Sequence, residues 1–146
     1  MTQSRSLSKW KARHAVLVWI GILLNFAFVL PLIFCPEWIL GLFGITVNQL
    51  IWPRFAGLLL GILSIFYIPA TLDIDRYRVF AWLAVFPSRT LGTVFFFLAV
   101  FVFDQPLGYL AGVFLDGSVG IATLFCLLRI LRLEQNIAEG RPAWTR

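Results

Sequence analysis

Pro106–Leu128 reads PLGYLAGVFLDGSVGIATLFCLL, twenty-three residues with Asp116 as their single charge. A helix rises about 1.5 Å per residue and a bilayer core is about 30 Å thick, so roughly 20 apolar residues cross it. This stretch is long enough to span. Its uninterrupted run lacks the alternation of a barrel strand, so a helix must satisfy its backbone in lipid. Three more stretches read the same way. Ala15–Phe34 has no charge and one strongly polar group, Asn25. Trp52–Ala70 carries Arg54 near its start, and Val79–Phe103 carries Arg89 as its only charge. Across all 146 residues, 60% are hydrophobic and 13% charged, and the mean hydropathy is +0.89. Soluble domains carry about 45–50% apolar and about 25% charged residues, so this chain has too little polar surface to coat a globule in water. The expected fold is all-α: one integral membrane domain over residues 1–146, built as a bundle of four transmembrane helices.

The charge pattern predicts the orientation. Ten of the twelve Lys/Arg lie in three segments. Arg5, Lys9, Lys11 and Arg13 precede the first span, and Arg76 and Arg78 separate the second from the third. Arg129, Arg132, Arg141 and Arg146 follow the fourth. Four spans put these segments on one face, and the positive-inside rule makes that face cytoplasmic. The expected location is the cell's inner (plasma) membrane, with both termini inside. A nucleic-acid partner is not expected, since basic residues there would be interleaved with exposed aromatics on a polar chain. Twenty apolar residues without a following A-x-A site also make Ala15–Phe34 a retained helix rather than a cleaved signal.

The connections differ in kind. Cys35–Ile51 contains Trp38, Ile39, Leu40, Leu42, Phe43 and Ile45, broken by Gly41 and Gly44. This predicts a short helix in the outer interface, folded back over the bundle. Thr71–Arg78 and Asp104–Gln105 are short, so neighbouring spans run antiparallel. The cytoplasmic tail Leu133–Arg146 is expected to fray after Gly140, with Pro142 ending any helix.

Arg89, Asp116 and Asn25 each lie ten residues into their spans, about 15 Å deep. An unpaired charge there costs roughly 2.5–3.5 kcal/mol. An Arg89–Asp116 ion pair is therefore expected, with Asn25 as its hydrogen-bond partner. Pro87 removes a helical hydrogen bond, which predicts a kink that widens the bundle into a pocket. Two roles stay open: the pair binds a ligand, or Arg89 satisfies the freed carbonyl and Asp116 to hold the fold. Gly108, Gly112 and Gly120 share the Asp116 face, and Gly57 and Gly61 lie between Arg54 and Ser64. Such small-residue stripes predict close helix packing. Arg54 either points into the bundle mouth, giving a positive interior suited to an anion or carbonyl, or snorkels to water. Phe95, Phe96 and Phe97 suit lipid or a partner subunit. His14 reads as interfacial, and Cys35 and Cys126 fall at opposite faces with no metal spacing. No metal or cofactor is expected.

No nucleophile–base constellation, phosphate loop or HExxH motif is present, so the chain reads as non-enzymatic. Trp52-Pro53-Arg54-Phe55-Ala56-Gly57, the polar Asp73–Arg78 loop, Arg89 with Gly92, and Asp116 together resemble the DoxX-like superfamily of small four-helix bacterial membrane proteins. The resemblance covers roughly residues 15–130. It implies the same four-helix fold; some relatives are tied to thiosulfate–quinone chemistry or act as membrane partners of redox enzymes. It supplies no catalytic residue. The leading functional expectation is an accessory or assembly subunit of a larger, redox-linked membrane complex. The alternative is a small-molecule binder or carrier that uses Arg89, Asp116, Asn25 and Arg54. Expected partners are the lipid bilayer and other membrane subunits or a second copy, with a quinone, lipid head group or anion as the small molecule.

Overall fold

In a computed structural model, which describes residues 2–140, the chain is helical and has no strand among those residues. Four stretches are long and apolar enough to cross a bilayer: Ser4–Phe34, Ile51–Leu72, Arg78–Phe101 and Leu107–Ala138. The architecture is the expected all-α membrane bundle.

The first helix, α1 (Thr2–Phe34), starts well before its apolar run. It is followed by α2 (Pro36–Leu42), a short helix with proline in its first turn, where a missing N–H costs nothing. Left-handed backbone at Gly44 (φ 66°) then turns the chain back, and the Ile45 N–H donates to the Leu40 carbonyl at 3.0 Å. Pro36, Ile39 and Ile45 are buried, and the Phe43 ring lies 5.9 Å from that of Phe28 on α1. The segment thus folds over the end of the bundle that lies away from the termini, hereafter the distal end.

The second span is α3 (Ile51–Leu72). The third differs from expectation: where one kinked helix was predicted, there are two, α4 (Arg78–Leu83) and α5 (Ser88–Phe101). Pro87 has no N–H to continue the ladder. Thr90 instead reaches back to the Val85 carbonyl with both its N–H (3.1 Å) and its hydroxyl (3.0 Å). The Phe86–Pro87 peptide is cis. A 3₁₀ turn (Leu107–Tyr109) leads into α6 (Leu110–Ala138), which runs beyond the predicted end at Leu128. A left-handed residue, Gly140 (φ 64°), follows α6. The expected fraying and Pro142 stop concern 141–146, which lie outside the described residues.

The helices α1 and α3, α1 and α6, and α5 and α6 form the main pairs, while α4 packs on α3. The two halves of the third span therefore lean on different neighbours. Toward the end that holds the termini, two apolar clusters fill the centre. One holds Ala70, Ile74, Ala81, Leu127 and Ile130; the other holds Val18, Ile22, Tyr67 and Ala84. His14 is wholly buried, with neither ring nitrogen bonded. Both α1 and α6 extend past it, so its ring faces the bundle interior rather than solvent.

Below the clusters lies a seam of charges. Lys11 pairs with Asp75 (2.6 Å) and Glu134 (3.4 Å), and Arg78 with the same two acids (3.2 and 2.8 Å). The hydrogen bond from Lys11 holds the Asp75 carboxyl below its ordinary range, against a smaller opposing effect of burial. Outside, Phe95, Phe97 and Phe101 are exposed, like many apolar residues of the four spans. Phe96 is not: it turns inward.

Candidate functional site

Arg89 sits two residues past Pro87, in the first turn of α5, and is 6% exposed. Its Nη1 donates to Asp116 Oδ1 on α6 at 2.9 Å. This is a single N–H···O bond, not the two-pronged clasp that guanidinium and carboxylate can form. The Asp116 side chain is the more accessible of the two, 25% exposed against 6%.

Glycines make room for the pair. A Cβ on Gly21 of α1 would run into the guanidinium, and one on Gly120 of α6 would press on the Arg89 stem at 3.3 Å. A Cβ on Gly92, one turn along α5, would come within 2.9 Å of the second Asp116 oxygen. The side chain of Arg89 therefore crosses the bundle between α6 and α1. On α6 the glycine stripe works differently from the predicted helix–helix approach. Gly112 seats the Phe96 ring, Gly120 seats Arg89, and Gly108 receives the Phe43 carbonyl of the folded-back segment. Close helix approach occurs instead at Gly57, where a Cβ would meet Leu32 at 2.9 Å and the Val29 carbonyl at 3.3 Å. Gly61 lies beside the same valine.

Asn25 does not bond to the ion pair. Its amide donates to the Ser64 hydroxyl oxygen at 2.9 Å, and that hydroxyl donates to the Leu60 carbonyl at 2.7 Å. The tight α1–α3 contact at Gly57 and Gly61 brings Ser64 across from Asn25. The guanidinium lies one turn away on α1, over Gly21. One further polar contact escaped the sequence reading. Tyr67, buried one turn beyond Ser64, shares a short hydrogen bond with Ser88, the neighbour of Arg89. Its position on the Gly57–Gly61–Ser64 stripe is the signal that could have found it. Arg89 bonds Asp116 rather than the Leu83 carbonyl freed one turn before Pro87, and the carbonyl that Thr90 takes is that of Val85.

Arg54 takes the second of the two places open to it and does not line the ion-pair cavity. The buried line of α3 runs Pro53, Gly57, Gly61, Ser64, Tyr67, Ala70. Arg54 is one residue further round, about 100° away, and it is exposed. It borders a shallow groove with Ile33, Trp52 and Leu58. There its charge stays in reach of the interface, where desolvation is small. The bundle interior is thus neutral rather than positive.

Above the ion pair lies a cavity of about 410 Å³. Arg89, Asp116 and Asn25 line it deep in the bundle, while Ile39, Phe43 and Ile45 of the folded-back segment line it at the distal end. Between them the walls are apolar, with Phe28, Leu60, Phe96 and Leu115 among them. Trp52 and Ala56 of α3 both line the cavity and are exposed, which places an opening on the α3 side. A pocket of this size, mostly apolar with a few convergent polar groups, has the build of a small-molecule site. Among the described residues no cluster of His, Cys, Asp and Glu could hold a metal ion. Comparison with protein-family models, curated proteins and solved structures finds no match for this chain.

Proposed function

We propose that this chain is a membrane-embedded, non-enzymatic binding protein or carrier. Its ligand is a small molecule whose polar end meets Arg89 and Asp116. The observation that supports this most is that the ion pair forms the floor of a cavity instead of being sealed in packing. A purely structural pair gains nothing from an accessible carboxylate, because water or a guest competes with the bond. The orientation we propose keeps both termini in the cytoplasm, on the inner membrane. The cavity then lies in the outer half and the charged seam at the cytoplasmic surface.

The test is native mass spectrometry of the chain released from its own membrane in mild detergent. The wild type should carry a non-protein mass. Ala111→Phe, which fills the cavity without touching either charge, should lose it. A second reading is an accessory or assembly subunit of a redox-linked complex. It draws on the DoxX-like resemblance and on the exposed face of Phe95, Phe97 and Phe101. The same spectrum separates the two readings. A stoichiometric protein partner and no small-molecule mass would favour the subunit and defeat the binder.

A further inference from the structure

The charge balance of the cavity floor constrains what can bind there. We propose that the ligand is an electrically neutral amphiphile whose polar end carries both a hydrogen-bond donor and an acceptor, as an amide does. This rests on the binding function proposed above and names its substrate class.

Arg89 and Asp116 are the only charged residues lining the cavity among the described residues, and they cancel. Each arrives with part of its bonding capacity uncommitted to the other. The guanidinium has five N–H donors and gives Asp116 one bond. Asp116 takes that bond on Oδ1, and its second oxygen faces the gap left by Gly92. Both side chains also line the cavity, so its floor offers a donor group and an acceptor group side by side. A carbonyl on the ligand accepts from Arg89 while an adjacent N–H or O–H donates to Asp116, and the ion pair stays intact.

A charged head has no such fit. A carboxylate would compete with Asp116 for Arg89 and leave one of two anions unpaired among apolar walls. An ammonium would do the same to Arg89. Either outcome strands a charge at low dielectric, where it is most costly. An ester or ether end accepts but cannot donate, so it leaves Asp116 unanswered. The walls specify the rest of the molecule. Asp116 on α6 and Gly108 in the 3₁₀ turn before it, both lining residues, are eight residues apart, about 12 Å of helix rise. Over that length the lining is mostly aliphatic and aromatic. An apolar tail that rises from the floor toward the distal end, or leaves past Ala56 on the α3 side, remains in greasy surroundings throughout.

The experiment uses the full chain in lipid nanodiscs and four probes with one tail: decanamide, decanoate, decylamine and decane. Each is titrated at matched mole fraction in the bilayer, and saturable thermal stabilisation is read. Decanamide should half-saturate at a mole fraction about tenfold lower than either charged probe, the size expected for hydrogen bonds to charged groups. Decane should give no saturable shift. Ala111→Phe should abolish the decanamide response, which locates it in the cavity. Asp116→Asn, which leaves the guanidinium without its counter-charge, should turn the preference toward decanoate.

Tightest binding of decanoate or decylamine that is lost in Ala111→Phe would overturn the neutral-head assignment and leave the binding function standing. Equal binding of decane and decanamide would overturn it too, since the polar floor would not be read. If no probe saturates, the binding function falls with it. The wild-type series decides these cases even if Asp116→Asn does not fold.

Discussion

Arg89 meets Asp116 because the positions around the pair, Gly21, Gly92 and Gly120, carry no side chain. The pair is sensitive to imbalance more than to loss. Removing one partner strands the other, at about 3–5 kcal/mol, whereas replacing both with apolar groups of like size is often near neutral. Asp116→Ala should therefore weaken the fold by about that amount. The double variant Arg89→Met with Asp116→Leu should recover most of it, measured by reversible unfolding in bicelles. A double variant no better than the single one would show that the pair is not the unit of stability. The meeting of these two residues was legible in the sequence, because ten residues counted inward from Val79 and ten from Pro106, at opposite ends of two antiparallel spans, bring both near mid-membrane. The partner of Asn25 was not. Depth alone gives no rotation about the helix axis, and Ser64 and Arg89 lie at similar depths on different sides of α1. Arg54 fails for a related reason. The 3-4-3 spacing through Gly57, Gly61 and Ser64 fits a face that begins at residue 53 as well as one that begins at 54. Packing chose Pro53.

The third span shows where a pattern of residues stops short of an element. Val79–Phe103 is apolar enough to cross, and Pro87 marks the disturbance, but hydropathy does not separate a bent helix from two short ones. The outcome depended on Thr90, whose N–H and hydroxyl both return to Val85 and so restart the helix as α5. The connection before α3 was easier to foresee, since Gly41 and Gly44 break an apolar run there. What its residues could not reveal was the surface it lands on. Gly108 accommodates the Phe43 carbonyl, a backbone atom that has nowhere to retreat. Gly108→Val should lift this segment from the distal end while leaving the four spans assembled. The check is maleimide labelling of Ile45→Cys in a chain lacking Cys35 and Cys126. Ile45 is buried in the parent, so its labelling should rise severalfold with valine at 108. Unchanged labelling would mean that the contact does not hold the segment down.

For the molecule as a whole, hydropathy and the grouping of basic residues were enough to foresee four spans with both termini at one end. The charged seam at that end was hidden in the same pattern. Reading bases for orientation passes over Asp75 and Glu134, the acids that pair with Lys11 and Arg78 and tie α1, the α3–α4 link and α6 together. The proposed orientation is checked with alkaline phosphatase, which folds to activity only outside the cytoplasm. Fused after Arg146 it should be inactive, and inserted in the 46–49 loop it should be active. The reverse result would turn the cavity toward the cytoplasm and give the seam to the other side.

One buried side chain marks where the bundle gives up robustness. The imidazole of His14 is shut away from solvent with neither nitrogen bonded. A polar group left in that condition costs about 1–3 kcal/mol. Leucine at this position should raise the midpoint of thermal unfolding in detergent and yield a hardier protein for purification and handling. A lower midpoint would mean that the ring finds a water or a neighbour worth more than a dry interior.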